Sequence, residues 1–121
     1  MPTFKKQHRL LHATQFKRVF HKPIKSSDAC FVVLARPNLS ENHRPRLGLA
    51  IAKKQLKRSV DRNRIKRIIR EYFRLQVDSN CGLDFVVMIR SSVKDYSNEK
   101  LTYYLGQHFK RLVDKQTISK T

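Results

Sequence analysis

A single α+β domain, with helices packed on a small sheet in the order α-β-β-α-β-α, is the fold this sequence predicts. Three observations carry it. In the stretch 53–74, KKQLKRSVDRNRIKRIIREYFR, residues Ile65, Ile68, Ile69, Tyr72 and Phe73 fall at i, i+3, i+4, i+7 and i+8, the spacing of one buried helix face. Two short apolar runs, CFVVLA at 30–35 and DFVVMIR at 84–90, read as buried strands. Between them Leu47, Leu49 and Ile51 alternate with Gly48, Ala50 and Ala52, a strand with one bulky face and one bare face. At 121 residues one domain is the default. A chain of this size buries roughly 65% of its unfolded surface, enough for a core without disulfides or metal.

Taken in order, residues 1–12 are basic and aperiodic and predict an extended arm. A short helix follows, with Thr14 as its cap and Phe16, Val19 and Phe20 at helical spacing. Pro23 stops it by removing a donor and restricting Lys22. The first strand ends at Pro37, and the polar loop 38–45 predicts antiparallel pairing between the first two strands. Gly48 within a strand marks close approach, either by a packed helix or by a ligand. The basic helix starts after a Ser59 cap, with Asp61 favourably placed in its first turn. Its length predicts a parallel crossover from the second strand to the third. Residues 78–83 break the chain before the third strand. Ser97 starts a last helix whose buried face is Leu101, Tyr104, Leu105, His108, Leu112 and Val113, with His108 a satisfied interface histidine. The helix is expected to end near residue 115, leaving 116–121 as a frayed tail.

Charge narrows the function. A formal net charge of +18 repels itself in a compact molecule, and a large anionic partner relieves that repulsion. Nucleic acid is the candidate. Cys30 and Cys81 lie far apart with no C-x-x-C or histidine cluster, so no metal site is expected and Cys30 reads as a small buried residue. No apolar run approaches the ~18 residues that span a bilayer, which predicts a soluble, cytoplasmic protein without a membrane partner.

The basic helix concentrates the charge. With Ile65 at zero and 100° per residue, Asn63, Lys66, Arg67, Arg70 and Arg74 fall between about 100° and 200°, opposite the apolar stripe. Arg62 and Arg64 flank the two groups near about 60° and 260°. The polar row runs roughly 16 Å at 1.5 Å per residue, the length of several successive phosphates. Arginine binds phosphate oxygens with a rigid fork, and asparagine both donates and accepts. Lys53, Lys54, Lys57 and Arg58 extend the field ahead of the helix. A charge run is commonly a solvated face, but within the helix this row has a single acidic i±4 partner, Glu71 to Arg67, fewer than a self-stabilised helix carries. Phe16 and Phe20, one turn apart, fit a core role, and rings on a basic surface also stack on unpaired bases.

Catalysis by the chain itself is not expected. The nine acids are scattered with no D-x-D, and the five histidines show no acid–base pairing. A ribosomal-type structural RNA-binding protein is the alternative reading. A DNA-binding regulator is disfavoured by the lack of dimerisation heptads or a separate helix-turn-helix. A polybasic membrane-surface protein fits poorly, because the apolar stripe suits a core.

The block RNRIKRIIREYFR, preceded by GLAIAKK, resembles the signature of the bacterial ribonuclease P protein subunit. QFKRVF upstream and DFVVMIR downstream are similar to that family's first helix and later strand, in the right order. The resemblance implies a left-handed β-α-β crossover, an exception to the usual rule. It implies that Arg62, Asn63, Arg64, Lys66, Arg67 and Arg70, with Lys53, Lys54, Arg58 and Arg74, face the catalytic RNA. It implies that Phe16 and Phe20, with Lys17 and His12, line a cleft for the single-stranded 5′ leader of precursor tRNA. His12 stands where some members carry lysine. In that family the RNA subunit cleaves the phosphodiester with bound Mg²⁺. The protein, expected to be monomeric on its own and to hold no cofactor stably, assists removal of the leader.

Overall fold

The computed structural model describes residues 13–38, 44–77 and 81–119, without the side chains of 13–15 and 116–119. The expected basic arm, His12 included, lies outside the described residues. The elements are α1 (Ala13–Phe20), β1 (Ile24–Ser27), β2 (Phe31–Pro37), β3 (Arg46–Ala50), α2 (Ser59–Gln76), β4 (Leu83–Ile89) and α3 (Asn98–Ser119), with a 3-10 turn at Ser91–Asp95. The α+β class holds, and the order becomes α-β-β-β-α-β-α. The added strand, IKSS, is too short and too polar to show an apolar alternation. Helix α3 continues to Ser119, past the expected end near residue 115.

The four strands form one sheet in the order β1-β2-β4-β3. β3 and β4 pair in parallel, as the helical crossover requires. The expected β2–β3 hairpin does not form. β4 inserts between them, antiparallel to β2, with Val33 opposite Val87. A central strand buried on both faces gains more apolar contact than an edge, and LDFVVMI is the most continuously buried strand of the sheet.

Alternation divides the sheet. One face carries Phe31, Val33, Ala35, Leu47, Phe85, Val87 and Ile89 into the main core, against α2 and α3. Helix α2 contributes Ile65, Ile69 and Phe73, with Ile68 and Tyr72 half-buried, which is the stripe read from the sequence. From α3 come Leu101, Leu105, Phe109 and Leu112. Phe109, absent from the predicted face, stacks on Tyr72 at 5.5 Å and meets Phe85 edge-on at 4.8 Å. Each such pair contributes about 0.5–1.5 kcal/mol beyond area burial.

Helix caps differ from expectation at two of three N-termini. α1 begins at Ala13, so Thr14 lies inside it, and α2 is capped by Arg58 without a side-chain bond while Ser59 is its first residue. At α3 the Ser97 hydroxyl accepts from Lys100 N at 3.2 Å, a true side-chain cap. After α1, Lys22 takes φ 54 despite its proline neighbour, and Gly82 supplies φ 66 in the turn into β4.

Among the described residues, the buried side chains of Ser26, Asp84 and His108 are paired. His108, 1% exposed, holds Ser26 Oγ through Nδ1 and Asp28 Oδ2 through Nε2, both at 2.7 Å. Arg111 donates to the same Ser26 oxygen at 2.8 Å. Because Arg111 only donates, the Ser26 hydroxyl hydrogen is left for Nδ1, and in the neutral ring Nε2–H then points at Asp28. Asp28 Oδ1 accepts from Cys30 N and Phe31 N at 2.7 and 2.8 Å. Burial pushes this carboxyl up, but those backbone bonds and His108 outweigh it and hold it below the usual carboxylate range. The network fastens α3 to the β1–β2 turn. His108 is the satisfied interface residue expected.

Candidate functional site

The second face of the sheet is only partly covered. Pairing places three cross-strand rows on it: Arg36–Asp84–Arg46, then Leu34–Val86–Gly48, then Val32–Met88–Ala50. Helix α1 covers the first two. Val19 is fully buried with Leu34 and Val86, and Phe16 packs half-buried beside them. Arg36 Nη1 donates to Arg18 O at 2.9 Å and His21 O at 2.7 Å, so a cation adds charged donors to carbonyls at the helix C-terminus. Arg46 grips Asp84 with two bonds, at 2.8 and 2.7 Å, and this bond raises the affinity of its guanidinium for its proton. Arg18 donates to Pro37 O at 2.6 Å and stands 3.9 Å from Asp84.

The third row stays half-exposed, so Val32, Met88 and Ala50 form an open, shallow floor beside α1. Ala50 belongs to the bare side of β3 anticipated from the sequence. Phe20 keeps 46% of its surface exposed, and Lys17 is exposed one turn earlier. Phe16 is thus a packing residue beside Val19, Leu34 and Val86, whereas Phe20 presents its ring to solvent.

The parallel strands β3 and β4 run out at the same edge of this face, and each exit is cationic. β3 leads to Lys53 and Lys54, both exposed. β4 leads to Arg90, exposed, whose Nε donates to Asp28 O at 3.0 Å. Arg90 is absent from the predicted site, although alternation along Asp84, Val86, Met88, Arg90 sets it on the cleft face. That signal was in the strand pattern.

On α2 the residues expected to face RNA separate into two groups. Asn63, Arg67 and Arg70 are exposed and Lys66 partly so, with no ion pair to any of them among the described residues. They form the outward row. Arg58, Lys53, Lys54 and Lys57 are exposed ahead of it. The others turn inward. Arg62 Nη1 donates to Leu56 O at 2.8 Å and Lys57 O at 2.9 Å. Arg64 reaches Asn98 Oδ1 at 2.8 Å and Tyr96 O at 2.7 Å, tying α2 to the start of α3. Arg74 pairs with Glu71 at 2.6 Å, which neutralises the far end of the row. A helical wheel reports direction but not the reach of a guanidinium to neighbouring carbonyls, so these engagements were invisible in the sequence.

Among the described residues no group of His, Cys, Asp and Glu could hold a metal ion. Among them, too, no helix is long and apolar enough to cross a membrane.

Fold and surface define a small α+β protein with a cationic helix face and, on the opposite side of its sheet, a partly buried apolar strip beside α1. The sequence model of the Ribonuclease P family matches residues 4–113. The chain is 38% identical over 112 residues to the ribonuclease P protein component of Pseudoalteromonas translucida (strain TAC 125), covering 93% of this chain and 79% of that protein. Its fold is similar to a Staphylococcus aureus RNase P protein mutant with defective mRNA degradation activity, with a TM-score of 0.78, 30% identity and 87% of each chain covered. The RNase P protein from Thermotoga maritima superposes with a TM-score of 0.72 at 27% identity, over 85% of this chain and 96% of that one. The chain belongs to the ribonuclease P protein component family.

Proposed function

We propose that this chain is the protein subunit of a ribonuclease P ribonucleoprotein, acting in the cytoplasm in tRNA 5′ maturation. It binds the catalytic RNA through the outward row of α2 and the lysines before it. It receives the 5′ leader of precursor tRNA in the cleft between α1 and the sheet. The observation that carries this reading is the open row Asn63, Lys66, Arg67 and Arg70, left without ion pairs among the described residues on a helix otherwise committed to the core. A polyanion completes such a surface.

The division of labour follows from residue chemistry. Arg67 and Arg70 offer forks to phosphate oxygens, Lys66 a point charge, and Asn63 a donor–acceptor pair for a sugar hydroxyl or base edge. In the cleft, Phe20 offers a π face to an unpaired base, over a floor small enough at Ala50 to admit one. Lys17 at α1, with Arg90 at the exit of β4, meets the leader's phosphates. The chain supplies no group for cleavage. Bond breaking belongs to the RNA subunit and its Mg²⁺, while the protein screens repulsion between the RNAs and holds the leader.

Reconstitution tests this. The protein, mixed with a bacterial ribonuclease P RNA at low Mg²⁺, is expected to restore 5′ cleavage of a precursor tRNA. Tight RNA binding without any gain in cleavage would point to a structural RNA-binding role instead.

A further inference from the structure

Three lysines precede α2 in a loop that has every reason to spread. Lys53, Lys54 and Lys57 are exposed, like-charged and separated by at most four positions, and the helix after them has no side-chain N-cap. Yet the loop is fixed at three points. Leu56 is 2% exposed in the main core. Gln55 closes a turn on Ala52, its N to Ala52 O at 3.1 Å and its Oε1 to Ala52 N at 3.2 Å. The third point is Arg62, one helical turn into α2, whose single Nη1 bridges the carbonyls of Leu56 and Lys57.

We propose that Arg62 is a positioning residue: its guanidinium acts on RNA binding through the lysine loop, which it holds in register with the outward row of α2, and not by contacting phosphate. Both hydrogens of Nη1 are directed to successive backbone oxygens, so the arm of the fork nearest the loop is occupied. Those oxygens belong to the residue that anchors the loop and to one of its three lysines. The carbonyls, which α2's first turn cannot reach, gain a charged donor, and a charged hydrogen bond is stronger than a neutral one. Fixing the loop before RNA arrives removes ordering entropy from the binding step.

This inference rests on the interface reading above, and the test separates the two. RNA affinity would be measured against salt for full-length protein with ribonuclease P RNA, in four forms: wild type, Arg62→Gln, the loop triple Lys53→Ala/Lys54→Ala/Lys57→Ala, and all four changes together. Thermal melts would set a temperature at which every form is folded. If Arg62 positions the loop, Arg62→Gln lowers the log–log salt slope by more than the roughly 0.7–0.9 of one phosphate contact. In the triple background it then changes neither slope nor affinity, the non-additivity expected of residues acting as one unit. A fall of one contact, equal in both backgrounds, would make Arg62 a direct phosphate ligand and overturn the proposal. No change in either background would overturn it as well. A triple that binds like wild type would remove the loop from the interface and sink the underlying reading too. Hydrogen exchange at residues 53–57 supplies the readout that a purely global role would not move. Faster exchange confined to this loop in Arg62→Gln is expected, and unchanged exchange there would count against it.

Discussion

Truncation of Phe20 separates recognition from packing. A fully buried phenylalanine costs about 3–5 kcal/mol when cut to alanine. Phe20 keeps 46% of its surface exposed and stands outside both buried clusters. The stability loss for Phe20→Ala therefore scales to about 1.6–2.7 kcal/mol. Stacking of its ring on one unpaired base contributes about 1–3 kcal/mol, a factor of about 5 to 150 in affinity. The leader exists only on the precursor, so precursor tRNA is expected to lose that factor in binding to the reconstituted holoenzyme while mature tRNA loses almost none. Val19→Ala is the control. Val19 is wholly buried between α1 and the sheet, and its loss should lower the melting temperature more and weaken α1 as a whole. The assay is equilibrium binding of both RNAs below the melting range of each variant. Equal weakening for precursor and mature tRNA by Phe20→Ala would refute the stacking role.

Three further outcomes are expected. Neutralising Lys66, Arg67 and Arg70 together should reduce the salt slope of RNA binding by roughly 2 to 3, at about 0.7–0.9 per phosphate contact; an unchanged slope would take α2 out of the interface. Acid should undo the α3 anchor. The Asp28 carboxyl titrates below its ordinary 3.8 in the folded protein, so its contribution is complete above that value and drains as pH falls through and beneath it. Denaturant titrations between pH 5 and pH 3 should show a shallower acid loss for Asp28→Asn than for wild type, and parallel curves would contradict the assignment. Asp84→Asn should cost up to about 3 kcal/mol in chemical denaturation, the low end for a broken buried pair because Arg46 can turn toward water. A loss under about 0.5 kcal/mol, the level of an exposed pair, would show that Asp84 does not organise the first row.

Periodicity made most of the fold legible. The stripe of α2, the alternation of β3 and the apolar runs of β2 and β4 each declare which face meets the core. What escaped was non-local. The loop before β3 looked like a hairpin connection, yet β4 displaces β3 from β2 because the most buried strand belongs in the middle. IKSS turns one apolar residue, Ile24, and one polar residue, Ser26, inward, so no apolar alternation marks it as a strand. At the site, charge and spacing located the outward row of α2. They could not distinguish Arg67, which faces solvent, from Arg62 and Arg64, which spend their donors on carbonyls and an amide within the molecule. Arg90 was within reach, two positions beyond Met88 on one strand face.

The place of β4 has a consequence for synthesis. A ribosome exporting the chain N-terminus first releases β2, β3 and the whole polycationic helix before the strand that joins them. Until Ile89 emerges, β2 has only β1 beside it, β3 has no neighbour, and the stripe of α2 lacks most of its platform. The newborn segment is then most adhesive to nearby anions and least able to hide its apolar side. The stretch from Leu83 onward accordingly decides when this protein becomes safe to leave unattended.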